Sequence, residues 1–549
     1  MKIIFIFLQT LKSLVSEIIY NIKSNKYFNS KEFQNYLKNN SKIWKKTDEK
    51  LDAKELIAVD CTNYHPMNLV QNLILAKYLQ NIYKKEIIII DRIKNKRRLK
   101  LYKSFNIKKV IYLINISSIF NLFKDYKKFF HSLKNINSIN QLINFKHEQI
   151  EIGKISYDDY LRNSFAGTSN ELNFKLYFYL FKCFSFYRIF KSKINKFDVK
   201  YYVTHEIQFN PEAIIFQFFL RNNTNVFCKG IGQTKIGLRL FKKYSQRRYN
   251  RGSLNKHTFF KLLNSSKINT FIDSGYKHIE SRFSNKRDVN DIADLTFTFN
   301  PKKKIVEKEY FTSLFNWKSE TPIVFVLAHN VFDGVFEKRM SMFQDNYVWL
   351  DETLRMLCKN KNINIIVKKH PTEYEENKIA DVTEKIVKKY KINNKNINLF
   401  PDNIHPASIL NFAKCIFTEH GTAGLEYSCY GIPVVITGDA PYYRAGFALE
   451  PKNIQEYEII INNIHETQKL TDMQIKKAKL FAFYEINLSR VETKLNSYTN
   501  STKLEKDDNY WKNLSNNLTN FSFEECRFYK MLNIMIKNKN YNILNFDKF

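Results

Sequence analysis

Residues 362–371, NINIIVKKHP, and residues 396–437, NINLFPDNIHPASILNFAKCIFTEHGTAGLEYSCYGIPVVIT, decide the fold of this 549-residue chain. They predict strands at Ile363–Val367, Ile397–Phe400 and Cys415–Phe417, each followed by a helix. The apolar runs do not alternate with polar residues, which is typical of parallel strands covered by helices on both faces. In such a sheet, ligands bind beyond the carboxyl ends of the strands.

Two polar clusters follow these strands. In Lys368-Lys369-His370-Pro371 the proline holds His370 extended. In the second cluster, residues 418–426 (TEHGTAGLE), a glycine turn opens a helix whose amides can approach a phosphate. Thr422 can cap this helix or bind the ligand, and Glu426 can accept hydrogen bonds from ribose hydroxyls. A tight turn with good packing is the structural alternative for both clusters. The predicted nucleotide-binding residues are Lys368, His370, Pro371, His420, Gly421, Thr422, Gly424 and Glu426.

These motifs resemble the donor half of bacterial capsule-polysaccharide glycosyltransferases. The resemblance is carried by the strand-end Lys-x-His-Pro, by His-Gly-Thr-x-Gly-Leu-Glu, and by Gly-Ile-Pro-Val-Val at residues 431–435. The group consists of GT-B enzymes related to Kdo transferases and, more distantly, to sialyltransferases and CDP-glycerol glycerophosphotransferases. The resemblance implies that His370-Pro371 and Gly421-Thr422 hold a cytidine nucleotide, with Glu426 as a ribose ligand.

Composition sets broad limits. With 44% hydrophobic residues, the chain can form two sizeable domains. The net charge of +35 would suit nucleic acid, an anionic membrane or anionic substrates. However, the abundance of Lys, Asn, Ile, Phe and Tyr is also what an AT-rich genome produces, so the charge carries little weight. Seven scattered cysteines without a Cys-x-x-Cys pair favour a reduced cytoplasmic protein without a structural zinc site.

The N-terminal segment, residues 1–50, is predicted to be helical. Its uninterrupted apolar run, Ile3–Leu8, is too short to span a bilayer. Apolar residues at positions 4, 5, 8, 11, 14, 15, 18 and 19 fit one face of a helix. Two interpretations remain open, namely a helix packed on the neighbouring domain and an interfacial membrane helix.

Residues 51–300 are predicted to form an acceptor-side Rossmann-like domain with a helical insertion at 115–150. Strands at Leu56–Asp60, Glu86–Asp91 and Val110–Ile114 alternate with helices, which indicates a doubly wound sheet. No Gly-x-Gly-x-x-Gly follows the first strand, so a dehydrogenase-type dinucleotide site is excluded.

This domain supplies the candidate catalytic residues Asp158, Glu206 and His205. Asp158 lies in IGKISYDDYLR (152–162), which resembles a stretch in the acceptor-side domain of the capsule transferases. Glu206 and His205 follow a predicted strand at Tyr201–Val203. Glycosyl transfer needs a carboxylate or imidazole near the attacking hydroxyl, so Asp158 or Glu206 could be the base and His205 an orienting or acceptor contact. The alternatives are helix capping by Asp158 and ordinary loop hydrogen bonds for the other two.

A linker at 301–320 is predicted to lead to a donor-binding Rossmann-like domain at 321–499, followed by a helical extension at 500–549. The strand Pro322–Leu327 ends at His329 and Asn330, which the resemblance places near the donor phosphate or the acceptor. Arg444, in a later loop, is a further candidate phosphate or carboxylate ligand, with surface stabilisation as the alternative.

The predicted fold is therefore GT-B, with two Rossmann-like doubly wound α/β domains facing a cleft. The resemblance implies transfer of a sugar from a CMP-linked donor to a capsule or surface-polysaccharide acceptor, lipid-linked, without a metal or other cofactor. The predicted partners are a nucleotide sugar and a glycan or glycolipid acceptor, with no nucleic acid. The predicted location is the cytoplasm, including peripheral contact with the inner face of the membrane.

Two alternative functions remain open. A site of the same fold could transfer polyol phosphate from a CDP-polyol or epimerise a sugar nucleotide. A different class is a non-catalytic basic protein that binds a membrane or RNA.

Overall fold

The computed structural model of the chain describes residues 2–44, 51–114, 125, 128–131, 133, 136–230, 235–247, 256–284, 298–332, 334, 336, 341–371, 373, 381–493, 508–519 and 521–548. The described α-helices are α1 (Lys2–Lys23), α2 (Lys31–Trp44), α3 (Pro66–Tyr83), α4 (Lys96–Ser104), α5 (Ile139–Ile143), α6 (Ile152–Ser164), α7 (Phe174–Ile194), α8 (Glu212–Arg221), α9 (Lys256–Leu263), α10 (Ile268–Phe283), α11 (Lys308–Phe315), α12 (Asn346–Leu357), α13 (Val382–Lys391), α14 (Ile409–Phe412), α15 (Ala423–Ser428), α16 (Ile454–Asn462), α17 (Asp472–Phe483), α18 (Asp508–Leu518) and α19 (Arg527–Lys537). The described strands are β1 (Asp52–Asp60), β2 (Lys85–Asp91), β3 (Lys109–Tyr112), β4 (Asp198–Thr204), β5 (Asn225–Lys229), β6 (Lys235–Ile236), β7 (Leu238–Phe241), β8 (Ile323–Leu327), β9 (Asn364–Lys368), β10 (Ile397–Leu399), β11 (Ala413–Thr418), β12 (Val434–Ile436) and β13 (Val491–Glu492).

The chain divides into two compact units. Unit 1 comprises Met1–Tyr160, Asn170–Asn250 and Ser489–Phe549, and unit 2 comprises Leu161–Ser169 and Arg251–Leu488. Each unit contains its own sheet with helices packed against it, so the doubly wound α/β architecture predicted from the sequence is confirmed.

The sheet of unit 1 has the strand order β3-β2-β1-β4-β5-β7. All neighbouring strands are parallel except β7, which runs antiparallel to β5. The last five residues of β1 are all buried and α3 is buried around most of its circumference, which explains the unbroken apolar runs. The chain moves outward from β1 to β3 and then returns to the other side of β1 with β4. The switch point of this sheet therefore lies between β1 and β4.

The sheet of unit 2 has the order β10-β9-β8-β11-β12 and is parallel throughout. Every residue of the central strand β8 is buried. The chain moves outward from β8 to β10 and returns on the other side with β11, which places the switch point between β8 and β11.

Both termini of the chain contribute to the core of unit 1. Trp511 of α18 packs against Phe33, with ring centroids 4.7 Å apart, and Trp44 packs against Phe105 and Phe521. The predicted N-terminal and C-terminal helical segments are therefore not appendages. Their aromatic side chains form one hydrophobic cluster with β1, β2 and α3.

Residues assigned by the sequence analysis to the first domain or to the linker lie instead in unit 2. Phe271 of α10 stacks on Phe483 of α17 at 4.7 Å. Phe311 of α11, within the predicted linker, packs on Phe412 at 5.3 Å. The boundary between the two units thus falls at residue 250 rather than within the predicted linker at 301–320. Helices α10 and α11 belong to unit 2 because their apolar faces pack against helices and loops of that unit.

The predicted strands lie where the structure has strands, with ends that differ by a few residues. The largest difference is at β1, which begins at Asp52 rather than Leu56. The predicted helical insertion at 115–150 lies partly outside the described residues, although α5 falls within it. None of the described helices is long and apolar enough to cross a membrane.

Candidate functional site

The switch point of unit 2 is occupied by a hydrogen-bonded group of four residues, His329, Thr418, His420 and Gly421, named here the unit 2 cluster. Nε2 of His329 lies 3.0 Å from Oγ1 of Thr418 and accepts a hydrogen bond from the His420 backbone N–H at 3.2 Å. The Thr418 oxygen accepts a hydrogen bond from the Gly421 N–H at 3.2 Å. Because backbone N–H groups can only donate, this network assigns Nε2 as an acceptor and places the proton of neutral His329 on Nδ1.

The two histidines of this cluster are buried against each other. Their ring centroids lie 3.8 Å apart, and the His329 ring meets the edge of Trp349 at 5.8 Å. Nδ1 of His420 lies 3.5 Å from the carboxylate of Glu419. Both histidines were predicted separately from the sequence, and the structure brings them together across β8 and β11.

The first turn of α15 packs closely against the side chain of Tyr442. A Cβ at Gly424 would lie 1.9 Å from the hydroxyl of Tyr442, which is itself buried and donates to the Gly421 carbonyl at 2.7 Å. Thr422 is exposed and its side chain makes no capping hydrogen bond. The predicted capping role of Thr422 is therefore wrong, and its role as a ligand contact stays a prediction.

Several of the amides predicted to bind phosphate are already used within the protein. The Gly421 N–H donates to Thr418, and the Gly424 N–H donates to the Gly421 carbonyl at 3.1 Å. Within the described part of the chain, no hydrogen bond uses the N–H of Thr422 or Ala423. These two amides are the ones that a ligand could bind.

Lys368 is the last residue of β9, which pairs directly with β8, and His370 and Pro371 follow the strand. Burial lowers the pKa of Lys368 to about 8, and the nearby Lys303 adds to this lowering while Glu426 opposes it. His370 is partly buried, and its carbonyl accepts the Glu373 N–H at 3.0 Å. The side chain of Lys368 can therefore lose its proton near pH 8, and it lies at the end of the strand next to β8.

Glu426 has a partner that sequence reasoning missed. Nη1 of Arg282, on α10, lies 2.8 Å from Oε1 of Glu426. The carboxylate is buried and the guanidinium largely so. The ion pair occupies one carboxylate oxygen, so the ribose contact predicted for Glu426 stays a prediction.

Asn330 and Arg444 have structural contacts of their own. The Asn330 side chain accepts the Phe332 N–H at 2.9 Å, and its carbonyl accepts from the side chain of Asn346 at 2.7 Å. Arg444 is exposed, has a positive φ of 65°, and places its guanidinium 5.0 Å from the ring centroid of Tyr443. These contacts are of the surface and loop type that the sequence analysis gave as the alternative for Arg444.

The switch point of unit 1 holds a second buried group, Asp60, Thr62, Thr204 and His205, named here the unit 1 cluster. Oδ1 of Asp60 accepts hydrogen bonds from the Thr62 N–H at 2.9 Å and the Thr62 hydroxyl at 2.7 Å. Its Oδ2 accepts from the Thr204 hydroxyl at 3.0 Å. A single carboxylate therefore ties the carboxyl ends of β1 and β4 together.

His205 is held in this group by two asparagines. Nδ2 of Asn63 lies 3.2 Å from Nε2 of His205, and the Asn63 side-chain oxygen accepts the His65 N–H at 2.9 Å. Nδ1 of His205 lies 3.3 Å from Nδ2 of Asn72 and 3.9 Å from the Asp60 carboxylate. Burial keeps the pKa of His205 well below its usual range, with Lys229 and His65 adding to the effect. The imidazole is therefore neutral at pH 7.

Other buried ionisable groups surround the unit 1 cluster. Burial raises the pKa of Glu212 to about 8, so its carboxyl group is largely protonated at pH 7. Its Oε1 lies 3.1 Å from the Thr62 hydroxyl. Burial lowers the pKa of Lys229 to about 7. Such concentrations of shifted pKa values are typical of functional sites, although structural networks also produce them.

The two candidate bases differ in exposure. Glu206 follows β4 directly, is partly exposed, and accepts the Ile207 N–H at 2.8 Å. Asp158 lies within α6 and is fully buried, so the predicted alternative of an exposed helix-capping aspartate is wrong. The glycine of the same motif is explained by packing, because a Cβ at Gly153 would lie 1.9 Å from the Leu142 carbonyl oxygen.

Several residues of these groups were not selected from the sequence, among them Asp60, Thr418 and Arg282. Asp60 and Thr418 were visible as polar residues at strand ends, which is the signal that could have selected them. Arg282 carried no local signal, because its partner Glu426 lies on a helix far along the chain. Among the described residues, no group of three or more His, Cys, Asp or Glu side chains is arranged to hold a metal ion.

Comparison with known proteins found a family match for the part of the chain that contains the unit 2 sheet. Residues 324–490 match the family model described as capsule polysaccharide biosynthesis protein. This part of the chain is similar to capsule polysaccharide biosynthesis proteins. The match confirms the predicted resemblance over residues 324–490, and the two Rossmann-like units agree with the predicted GT-B fold class.

Solved structures similar to this chain were also found. KpsC of Thermosulfurimonas dismutans, a beta Kdo 2,4 transferase, is 11% identical, with 51% of this chain and 79% of that chain covered and a TM-score of 0.28. A glycosyltransferase from Rickettsia africae is 12% identical, with 86% and 100% covered and a TM-score of 0.24. UDP-GlcNAc 2-epimerase of Neisseria meningitidis is 12% identical, with 77% and 97% covered and a TM-score of 0.24. No curated protein sequence matches the chain.

Proposed function

We propose that this protein transfers a sugar from a nucleotide-activated donor, a CMP-linked sugar, to a capsule or other surface-polysaccharide acceptor that is lipid-linked. The observation that carries the proposal is the position of the unit 2 cluster. His329, Thr418 and His420 meet between β8 and β11, at the switch point where doubly wound sheets bind their ligands. The capsule family match covers the same strands.

The donor phosphate is proposed to bind beside this cluster. The amides of Thr422 and Ala423 would donate to the phosphate oxygens at the start of α15. Lys368 and His420 lie at the carboxyl ends of β9 and β11, the two strands that flank β8, and would supply positive charge and a hydrogen bond. These groups would stabilise the negative charge that grows on the leaving nucleotide as the glycosidic bond breaks.

Acceptor activation is proposed for unit 1. Glu206 or Asp158 would remove the proton from the attacking hydroxyl, and the neutral His205 would orient the acceptor. Replacing each carboxylate with its amide decides between them. The base is the residue whose amide variant loses about 10²–10⁴-fold in kcat while its melting temperature stays unchanged.

The first experiment measures nucleotide binding by isothermal titration of the full chain with CMP, CDP, UDP and GDP. We expect CMP to bind and His420→Ala to weaken binding, while the control His465→Ala, in the short helix Ile464–Glu466, leaves it unchanged. Absence of binding by any nucleotide would overturn the proposal. Mass spectrometry of the products then separates sugar transfer from polyol-phosphate transfer and epimerisation.

The lipid-linked acceptor implies that the reaction takes place at the inner face of the cytoplasmic membrane, with the protein bound peripherally.

A further inference from the structure

Among the side chains that the structure describes, helix α1 contacts the rest of unit 1 through polar groups and through Tyr20, whose ring stacks on Tyr64 at 5.4 Å. Oε1 of Glu17 lies 2.6 Å from Nη1 of Arg92. The side-chain oxygen of Asn21 accepts hydrogen bonds from Asn95 at 3.0 Å and from Arg98 at 2.9 Å. Positions 17 and 21 are four residues apart, so both side chains lie on the same face of the helix. That face is the one docked on the protein.

The opposite face of α1 is apolar and exposed. Val15, Ile18, Ile19 and Ile22 follow the i, i+3, i+4, i+7 spacing of one helical stripe, named here the α1 stripe. Their exposed fractions are 55%, 45%, 46% and 60%. A surface helix of a globular protein normally turns such a stripe towards the core. Here the polar face is docked and the apolar face is outside, and an exposed apolar patch of this kind marks an interaction surface.

The charges near the α1 stripe indicate the chemistry of its partner. Lys12 and Lys23 are exposed and flank the stripe. Glu17 is the single acidic residue of α1, and it is paired with Arg92 on the other face. A second copy of this chain is a poor partner, because a two-fold pairing would bring the lysines of both copies together without a neutralising carboxylate from α1.

We propose that α1 is an interfacial membrane helix whose stripe enters the headgroup region of an anionic phospholipid surface, with Lys12 and Lys23 on the lipid phosphates. The proposal combines the two interpretations that the sequence left open, because the helix is docked on unit 1 through one face and apolar on its outer face. The inference rests on the proposed peripheral membrane location and assigns the membrane contact to α1. It does not depend on which nucleotide the protein binds.

The test is flotation of the full chain with vesicles of phosphatidylcholine alone and of equal parts phosphatidylcholine and phosphatidylglycerol. We expect binding to the anionic vesicles and about a tenfold or greater loss in Ile18→Asp/Ile22→Asp. Lys12→Gln/Lys23→Gln should lower the affinity for anionic vesicles about fivefold per lysine and should not change binding to phosphatidylcholine vesicles. The matched control is Ile392→Asp/Ile459→Asp, which changes two isoleucines of unit 2 that are at least as exposed as Ile18 and Ile22, and it should bind as the unaltered chain does.

Unchanged vesicle binding by Ile18→Asp/Ile22→Asp, or an equal loss in the control, would overturn the inference. A second pair of results would also overturn it. If the unaltered chain fails to bind vesicles and forms a dimer in light scattering, and if Ile18→Asp/Ile22→Asp dissociates that dimer, the stripe binds a second copy of the chain. CMP titration of the variant keeps the two proposals apart. Lost vesicle binding with retained CMP binding supports the membrane helix, and a chain that binds vesicles but no nucleotide refutes only the proposed reaction.

Discussion

The guanidinium of Arg282 and the carboxylate of Glu426 lie 2.8 Å apart and join α10 to α15. Both side chains are largely removed from solvent, with 14% and 6% of their surface exposed. The pair therefore fixes the helix that begins at the unit 2 cluster against a helix that precedes the sheet. It also means that Glu426 is held in one orientation before any ligand arrives.

Removal of one partner from this pair should be costly. We expect Arg282→Met to lower the free energy of unfolding by about 3 kcal/mol, because it leaves the Glu426 carboxylate buried without its counter-ion. Arg282→Met/Glu426→Leu should recover much of this loss, since no buried charge remains. Urea denaturation measures both. The control Arg355→Met breaks an exposed pair with Glu352 and should cost less than about 1 kcal/mol. Equal losses in the single and double variants would contradict the assignment.

The hydroxyl of Thr418 should matter for nucleotide binding rather than for stability alone. Thr418→Val removes the acceptor of the Gly421 N–H and the donor to His329, so the loop before α15 loses its geometry. We expect CMP affinity to fall about tenfold, which corresponds to one or two lost hydrogen bonds. Titration calorimetry provides the measurement. Thr353→Val, which removes a buried hydroxyl bonded to Tyr457 in the same unit, should leave affinity unchanged. Equal effects of the two substitutions would argue against a site at this cluster.

Donor binding should weaken as the pH rises through 8. Burial lowers the pKa of Lys368 to about 8, so the side chain is mainly an ammonium at pH 7 and mainly neutral at pH 9.5. Loss of this charge removes its attraction for the donor phosphate, and we expect CMP affinity to fall about tenfold over that range. Lys368→Gln should bind weakly at both pH values. A pH profile that is the same in Lys368→Gln and the unaltered chain would assign the dependence to another group.

Packing at the start of α15 should show strong coupling between two residues. Gly424→Ala places a Cβ where the Tyr442 hydroxyl lies, and we expect a loss of about 1–3 kcal/mol in unfolding free energy. Tyr442→Phe loses only the hydrogen bond to the Gly421 carbonyl, about 1 kcal/mol. The double variant should lose less than the sum, because the missing hydroxyl makes room for the methyl group. Additive losses in thermal or urea denaturation would show that the methyl group is accommodated elsewhere.

Much of the fold and part of the site could be predicted from sequence. Strands such as β8 and β9 were found because buried parallel strands are continuous apolar runs, and His329, Lys368 and His420 were found because polar residues follow those strands. The domain boundaries were harder to predict. The aromatic residues of α10, α11 and α18 look alike in sequence, and only their packing partners show which core they join.

By itself, the sequence determined the α/β class, the places where strands end, and the family resemblance, because these depend on local periodicity and short motifs. Only the tertiary structure decided the strand order, and with it the two switch points at which the unit 1 and unit 2 clusters form. It also decided the partner of Glu426 and the outward orientation of the α1 stripe. These features depend on which distant segments pack together to bury apolar surface and pair buried charges, and no local pattern records that choice.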